Sequence, residues 1–250
     1  MKTKVAVRSD EIGFGGYTLL QEPDSFCYGV DAVLLADFCA AVPEDTVLDL
    51  CCGNGAVALI AYAKYHPGSV NGLELQKEQA QLAEKSMELN GLSDKIRIVC
   101  GDAAEIERYF AKGSFSLVVC NPPYFESGRG PSCEDSPRHI ARHESSTGLG
   151  GFFRAAAYVL KSGGRLAMVH RPERLADLMD LSRACGLEPK KIQMVAPHAD
   201  EAPNLVLVQF VKGGGKGIVM LPQLAVRERN GGFTKEIDKI YGRPHKQNNA

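Results

Sequence analysis

The chain predicts an α/β fold, one doubly wound sheet of parallel strands with a small β/α cap at the N-terminus. Two observations carry this. Short apolar runs bounded by Gly, Asn, Asp and Pro alternate with segments that hold apolar residues at helical spacing, the pattern of consecutive βα units. With 250 residues, 44% of them hydrophobic, the chain is also long enough to bury one large α/β core. Length alone would allow two small domains, but no low-complexity linker or internal repeat divides the chain. Residues 1–41 are therefore expected as a cap packed on the core, and residues 42–250 as the main part of a single domain.

Taken in order, residues 1–28 are extended and punctuated by glycine, which suits a small β-hairpin, and Val30 to Ala41 carries helical spacing. Val47 to Leu50 is the first core strand, followed by a glycine turn and the helix-compatible Ala56 to Ala61. Ser69 to Glu74 is the second strand, and a helix from Gln76 is stopped by Asn90-Gly91. Ile96 to Cys100 is the third and Phe115 to Val119 the fourth. A helix beginning near Thr147 leads to the strand Arg165 to His170, and Leu187 to Ala196 and Leu205 to Val211 close a seven-stranded sheet. Ligands of such sheets bind beyond the carboxyl ends of the strands. Asp49, Glu74, Asp102 and Asn121 all fall there.

The chemistry concentrates in two motifs. Asp49-Leu50-Cys51-Cys52-Gly53-Asn54-Gly55 joins a strand to a helix N-terminus, where glycines let backbone N–H groups approach a ligand. It lacks the third glycine of the dinucleotide fingerprint, and Asp49 would repel a pyrophosphate, so a cofactor with a cationic amine suits it better. Glu74 lies nineteen positions after Gly55, close to the spacing of about 20 at which a carboxylate accepts from ribose hydroxyls. A strand-terminal acid can equally be a helix cap. Three in consecutive βα units exceed what capping accounts for.

The second motif is Asn121-Pro122-Pro123-Tyr124. An amino group conjugated to an aromatic ring or a carbonyl is a poor nucleophile until acceptors hold its N–H bonds and localise its lone pair. The Asn121 side chain and the Pro122 carbonyl supply two such acceptors in a segment that the prolines keep in one shape, and Tyr124 offers a face on which a planar base can stack. Asn121, Pro122 and Tyr124 are thus the candidate catalytic residues.

At these residues the sequence resembles the class I S-adenosylmethionine-dependent methyltransferases of the amino-methylating branch. With the upstream Phe26-Cys27-Tyr28-Gly29-Val30-Asp31-Ala32 and the distal Gly232-Phe233-Thr234-Lys235-Glu236 through Tyr241-Gly242, it is similar to the bacterial tRNA1(Val) adenine-N6 methyltransferase family, from about Gly15 to Gly242. The resemblance implies a Rossmann-like, mostly parallel sheet with an antiparallel last strand. It implies S-adenosyl-L-methionine as cofactor, leaving as S-adenosyl-L-homocysteine. Asp49, Cys51, Gly53 and Gly55 would form the methionine-side loop, Glu74 and Leu75 would meet the ribose, and Asp102 and Ala103 the adenine. Tyr28 and Asp31 would lie over the cofactor from the N-terminal side, and Asn121 would face it. Cys51-Cys52 is a departure, because glycine or another small residue is commoner there.

Net charge is −1, yet residues 212–250 hold eight basic and three acidic side chains, a local +5 that leaves −6 elsewhere. Such a cluster can be a solvated surface or a phosphate-binding one. Arg227, Arg229 and Lys235 there, and Phe125, Arg129, Arg138 and Arg142 after the Asn-Pro-Pro-Tyr motif, are the candidate RNA contacts, with tRNA as partner. His139 and His143 sit four apart without a nearby Cys or a His-Glu-x-x-His pattern, so no metal is expected. The eight cysteines contain no Cys-x-x-Cys pair and read as free, mostly buried thiols. No apolar run has the length of a membrane span and the start lacks a signal-peptide core, which predicts a cytoplasmic protein without membrane partners. The leading function is methylation of an adenine N6 in tRNA, in the anticodon loop of a valine tRNA by the resemblance. Two others are carried: methylation of a release-factor glutamine, whose amide poses the same delocalisation problem, and a non-catalytic RNA-binding protein that keeps the cofactor.

Overall fold

A computed structural model describes residues 7–22, 28–124 and 148–244. The N-terminal part is an antiparallel hairpin, β1 (Arg8–Glu11) and β2 (Thr18–Gln21), followed by α1 (Val30–Phe38). The core then alternates: β3 (Thr46–Leu50), α2 (Ala56–Tyr65), β4 (Ser69–Glu74), α3 (Lys77–Leu89), β5 (Ile96–Cys100), a 3-10 segment Ala103–Arg108, β6 (Phe115–Cys120), α4 (Gly148–Val159), β7 (Leu160–His170) and α5 (Leu175–Ala184). The long strands β8 (Leu187–Ala196) and β9 (Leu205–Lys212) follow, then the two-residue β10 (Val219–Met220) and β11 (Leu224–Ala225), and finally α6 (Lys235–Ile240).

Seven long strands run in the order β5-β4-β3-β6-β7-β9-β8, parallel except for β9, which lies antiparallel between β7 and β8. The mostly parallel, doubly wound sheet is as the sequence predicts, and its antiparallel last long strand is as the family resemblance implies. β10 and β11 add themselves to the free edge of β8, an extension too short to leave a periodic signal.

The sheet sits between two apolar layers. In β3, Val47 faces the layer formed with α1, α2 and α3, while Leu48 and Leu50 face the layer formed with α4. Residues of β6 alternate likewise, with Leu117 and Val119 on the first face and Val118 and Cys120 on the second. Coverage on both faces explains why these strands read as unbroken apolar runs.

The hairpin docks on α3 through side chains standing in for a strand partner. Asn90 accepts from the Thr18 N–H at 2.8 Å and donates to the Thr18 carbonyl at 2.7 Å, and Ser86 accepts from the Leu20 N–H at 3.0 Å. Gln21, buried at the end of β2, accepts from the Tyr28 N–H. This edge would otherwise leave backbone groups unpaired. Among the described residues no helix is long and apolar enough to cross a membrane.

Candidate active site

The carboxyl ends of β5, β4, β3 and β6 lie side by side, so the topology brings together Asp102, Glu74, Asp49 and Asn121 from four separate stretches of chain. Asp49 is fully buried. Its Oδ2 accepts from the Ala58 N–H in the first turn of α2 at 3.0 Å, and its Oδ1 has no hydrogen-bond partner among the described residues. Burial pushes its pKa up to about 7, against the lowering effect of that N–H.

The loop that follows turns through three left-handed residues, Cys51, Gly53 and Gly55. At Gly55 a Cβ would come within 2.8 Å of Met87 and 3.2 Å of Ala83, so glycine lets the loop close on α3, whereas a Cβ on Gly53 would meet nothing. The departure at Cys51-Cys52 is accommodated: both N–H groups donate to the Leu73 carbonyl at 3.0 Å, and Cys52 takes the space that Gly72 leaves by lacking a side chain. Cys51 holds a φ of 70°, which strains a residue with a Cβ. A hydrogen bond with Cys120 and burial raise the Cys51 pKa, and burial raises that of Cys52, so both thiols stay protonated.

Glu74 ties this loop to β4. Its Oε2 accepts from the Gly53 N–H at 2.9 Å and its Oε1 from the Gln76 N–H at 2.8 Å. Burial raises its pKa although these N–H groups oppose it. With about four acceptor sites, the carboxylate keeps room for a further donor. Leu75 beside it is exposed, and Asp102 caps the 3-10 segment by accepting from the Ala104 N–H at 2.8 Å, with Ala103 buried next to it.

At the mouth of β6 the Tyr124 hydroxyl stands 2.9 Å from the Asn121 carboxamide oxygen and 3.0 Å from Asp31 Oδ2. Burial and the Asp31 charge push the phenol pKa up, so the hydroxyl keeps its single proton. One proton cannot serve two acceptors. The carboxylate is the stronger one, and a half-turn of the carboxamide, which leaves its shape unchanged, sets the Asn121 NH2 against the phenol oxygen and frees the Asn121 carbonyl. Asp31, expected over the cofactor, is thereby bound to the tyrosine. Tyr28, expected there too, has its N–H on Gln21, and burial together with the charge of Asp10 raises its hydroxyl pKa.

Two residues here escaped the sequence reading. His170, at the end of β7, meets the Tyr124 ring edge-on at 5.3 Å. Its Nδ1 accepts from the Arg171 N–H, and burial lowers its pKa to about 4, so the ring is neutral. The Arg171 guanidinium lies 5.0 Å over the Tyr124 ring, covering one of its faces, and donates to the Asn204 carbonyl at 3.0 Å. The available signal was the polar His-Arg-Pro end of the strand beside β6.

Arg227 and Lys235 are exposed, and Arg229 is ion-paired with Asp200. Phe125, Arg129, Arg138 and Arg142 lie outside the described residues, as do His139 and His143. Among the described residues no group of three His, Cys, Asp or Glu is placed to hold a metal ion.

Residues 16–181 match the family model described as methyltransferase small domain. A protein of Porphyromonas gingivalis strain W83 named tRNA1(Val) (adenine(37)-N6)-methyltransferase is 30% identical over 209 residues, 81% of each chain. A protein of the same name from Tolumonas auensis is 27% identical, covering 84% of this chain and 85% of its own. Among solved structures, Atu636 from Agrobacterium tumefaciens, a predicted O-methyltransferase, superposes with a TM-score of 0.70 at 23% identity, covering 87% of this chain and 99% of its own. Geranyl diphosphate C-methyltransferase from Streptomyces coelicolor, solved with S-adenosyl-L-homocysteine, superposes with a TM-score of 0.52 at 16% identity, over 73% of this chain and 75% of its own.

Proposed function

The chain belongs to the methyltransferase small domain family and, within it, to the tRNA1(Val) (adenine(37)-N6)-methyltransferase family, and from that premise we propose that it methylates the N6 amino group of an adenine in the anticodon loop of a valine tRNA. The observation that carries the reading is the Asn121-Pro122-Pro123-Tyr124 segment at the carboxyl end of β6, adjacent to the strand that carries Asp49.

S-adenosyl-L-methionine is the cofactor and supplies, when bound, an electrophilic methyl group on a sulfonium centre. The residues present fit it. The unpartnered Asp49 Oδ1 suits a cationic amine, the open space at Gly53 admits a ligand against the loop, and the spare lone pairs of Glu74 suit ribose hydroxyls. We place Leu75 beside the ribose, Asp102 and Ala103 at the adenine end, and Cys51, Gly53 and Gly55 at the methionine end.

On the target side the freed Asn121 carbonyl and the Pro122 carbonyl accept from the two N6–H bonds and localise the lone pair. A single-stranded loop presents the base at least cost, since no base pair has to open. A base stacking on the covered face of Tyr124 would displace the Arg171 guanidinium. We assign Arg227 and Lys235, together with Arg229 once it leaves Asp200, to phosphates of the tRNA. Arg129, Arg138 and Arg142 take the same role from their position after Tyr124, and Phe125 there offers a ring to an RNA base. Such an enzyme works in the cytoplasm, where its tRNA is.

The test is incubation of the purified protein with labelled cofactor and, in parallel, total tRNA and a release factor. Label in N6-methyladenine of a valine tRNA is expected. Label in a release-factor glutamine and none in tRNA would replace the reading with protein methylation, and label in neither would leave an RNA-binding protein.

A further inference from the structure

The C-terminal segment contains a stack that charge counting does not reveal. Phe233 and Tyr241 are parallel, with ring centroids 5.7 Å apart and planes 19° apart, and Tyr241 stacks in turn on Phe14 at 6.3 Å and 26°. Cations lie on all three rings. The Arg227 guanidinium is 4.8 Å over Phe233, the Arg243 guanidinium 4.4 Å over Tyr241, and the Lys64 ammonium 4.9 Å over Phe14.

The two ends of this ladder differ. Lys64 is largely buried, ion-paired with Asp37 at 2.7 Å and hydrogen-bonded to the Ile240 carbonyl at 2.5 Å, so its charge is spent inside the fold. Arg227 and Arg243 are exposed and form no ion pair among the described residues. Exposed guanidinium groups ordinarily sweep many rotamers, and fixing one costs side-chain entropy. Here each rests over a ring, and Arg227 is fixed further by its bond to the Gly231 carbonyl at 2.9 Å.

The support beneath is firm. Arg227 and Phe233 form an antiparallel bridge, and buried Thr234 donates to the Ala225 carbonyl at 2.7 Å while accepting from the Ile237 N–H. The stack packs on the same apolar layer as Tyr28 and Tyr124, and the charge of Asp31, the partner of Tyr124, acts on the Tyr241 hydroxyl.

We infer that the Arg227-Phe233-Tyr241-Arg243 stack is a binding subsite for phosphodiester groups of the single-stranded RNA that flanks the target adenine. The inference rests on the tRNA reading above and gives that substrate a dedicated site. A guanidinium flat on a ring keeps its N–H edge outward, the geometry that meets phosphate oxygens in pairs. Two such groups on the same layer as Tyr124 would grip the strand on which the base is delivered.

The experiment measures binding of a valine tRNA transcript against salt, with cofactor affinity by calorimetry on the same samples. The proteins are the wild type, Arg227→Gln, Arg243→Gln, Phe233→Leu and, as a control of equal charge change at the far edge of the sheet, Arg97→Gln. Each stack arginine variant should flatten the salt dependence by about 0.7 slope units, the value of one single-strand phosphate contact, and Arg97→Gln should not. Phe233→Leu removes no charge, yet should weaken tRNA binding about two- to fivefold, the factor carried by an exposed cation-π contact. Cofactor affinity should stay at the wild-type value throughout. Wild-type tRNA affinity and slope in both arginine variants would overturn the inference, as would a parallel loss of cofactor affinity, which would make the stack structural. If the wild type methylates tRNA while these variants bind it normally, only the subsite falls. A wild type that neither binds nor methylates tRNA takes the functional reading with it.

Discussion

At the ends of β3 and β4 the carboxylates of Asp49 and Glu74 are held by backbone N–H groups of the adjoining loops and helix starts, whereas at the end of β6 the Asn121 side chain meets a tyrosine held by side chains from distant parts of the chain. Asp49 accepts from Ala58 and Glu74 from Gln76, donors of their own strand-loop-helix units, and Glu74 also accepts from Gly53 in the loop after the neighbouring strand. Asn121, by contrast, touches Tyr124, which touches Asp31 from α1 and is flanked by His170 at the end of β7 and by Arg171 just after it. A local site is a property of its motif, and a side of the site assembled from remote pieces is a property of the fold.

The sharpest way to break this contrast is Asn121→Ala. Losing one preorganised polar contact at a reacting centre costs on the order of 10² to 10³ in rate. Single-turnover methylation of tRNA should fall by that factor while calorimetry finds cofactor affinity near normal. Turnover close to wild type would remove Asn121 from the chemistry.

The next largest effect belongs to the cofactor side. Hydrogen bonds to a charged group contribute about 1.5–3 kcal/mol, so Glu74→Ala should weaken S-adenosylmethionine and S-adenosylhomocysteine alike by about ten- to a hundredfold. The two ligands share the ribose and differ at the methyl group. Unequal losses, or none, would take Glu74 off the ribose.

The same contrast explains what was legible in the sequence. The seven long strands and the glycine loop could be read because their signals are local: apolar runs between turn residues, and Gly55 where only a missing Cβ lets α3 approach. The antiparallel setting of β9 and the cofactor came through family resemblance. Illegible were the Asp31–Tyr124 bond across 93 residues and the Phe14–Tyr241 stack, because no periodicity links residues that meet only in the folded chain. Arg171 was missed for a related reason: as the residue after a strand it looks like an ordinary solvated charge, and only the Tyr124 ring beneath it gives it meaning.

Asp49 yields a smaller effect with a definite sign. Its pKa rises from about 3.9 in an unfolded chain to about 7 in the fold. The folded state therefore holds a proton that the unfolded state has lost, and this group's contribution to stability falls as pH rises from about 4 to 7, then levels off. A cationic amine favours the ionised carboxylate. Cofactor affinity should accordingly rise about tenfold between pH 6 and 8, and Asp49→Asn should flatten both profiles, as read by calorimetry and by chemical denaturation. An affinity independent of pH in the wild type would separate Asp49 from the amine.

The smallest effect tests whether the target side is assembled as described. Asp31→Asn keeps the shape of the side chain but removes the charged acceptor that draws the Tyr124 proton away from Asn121. The hydroxyl is then free to donate to the Asn121 carbonyl, the oxygen needed for the adenine amine. A neutral hydrogen bond contributes about 0.5–1.5 kcal/mol, so kcat should fall about three- to tenfold with cofactor affinity unchanged. A loss of cofactor affinity would return Asp31 to the place that family resemblance implies for it. In a Tyr124→Phe background there is no hydroxyl to orient, and residues that act through one another are not additive. Asp31→Asn should then cost nothing further, and a double mutant whose loss is the product of the two single losses would show that Asp31 acts by a route that bypasses the tyrosine.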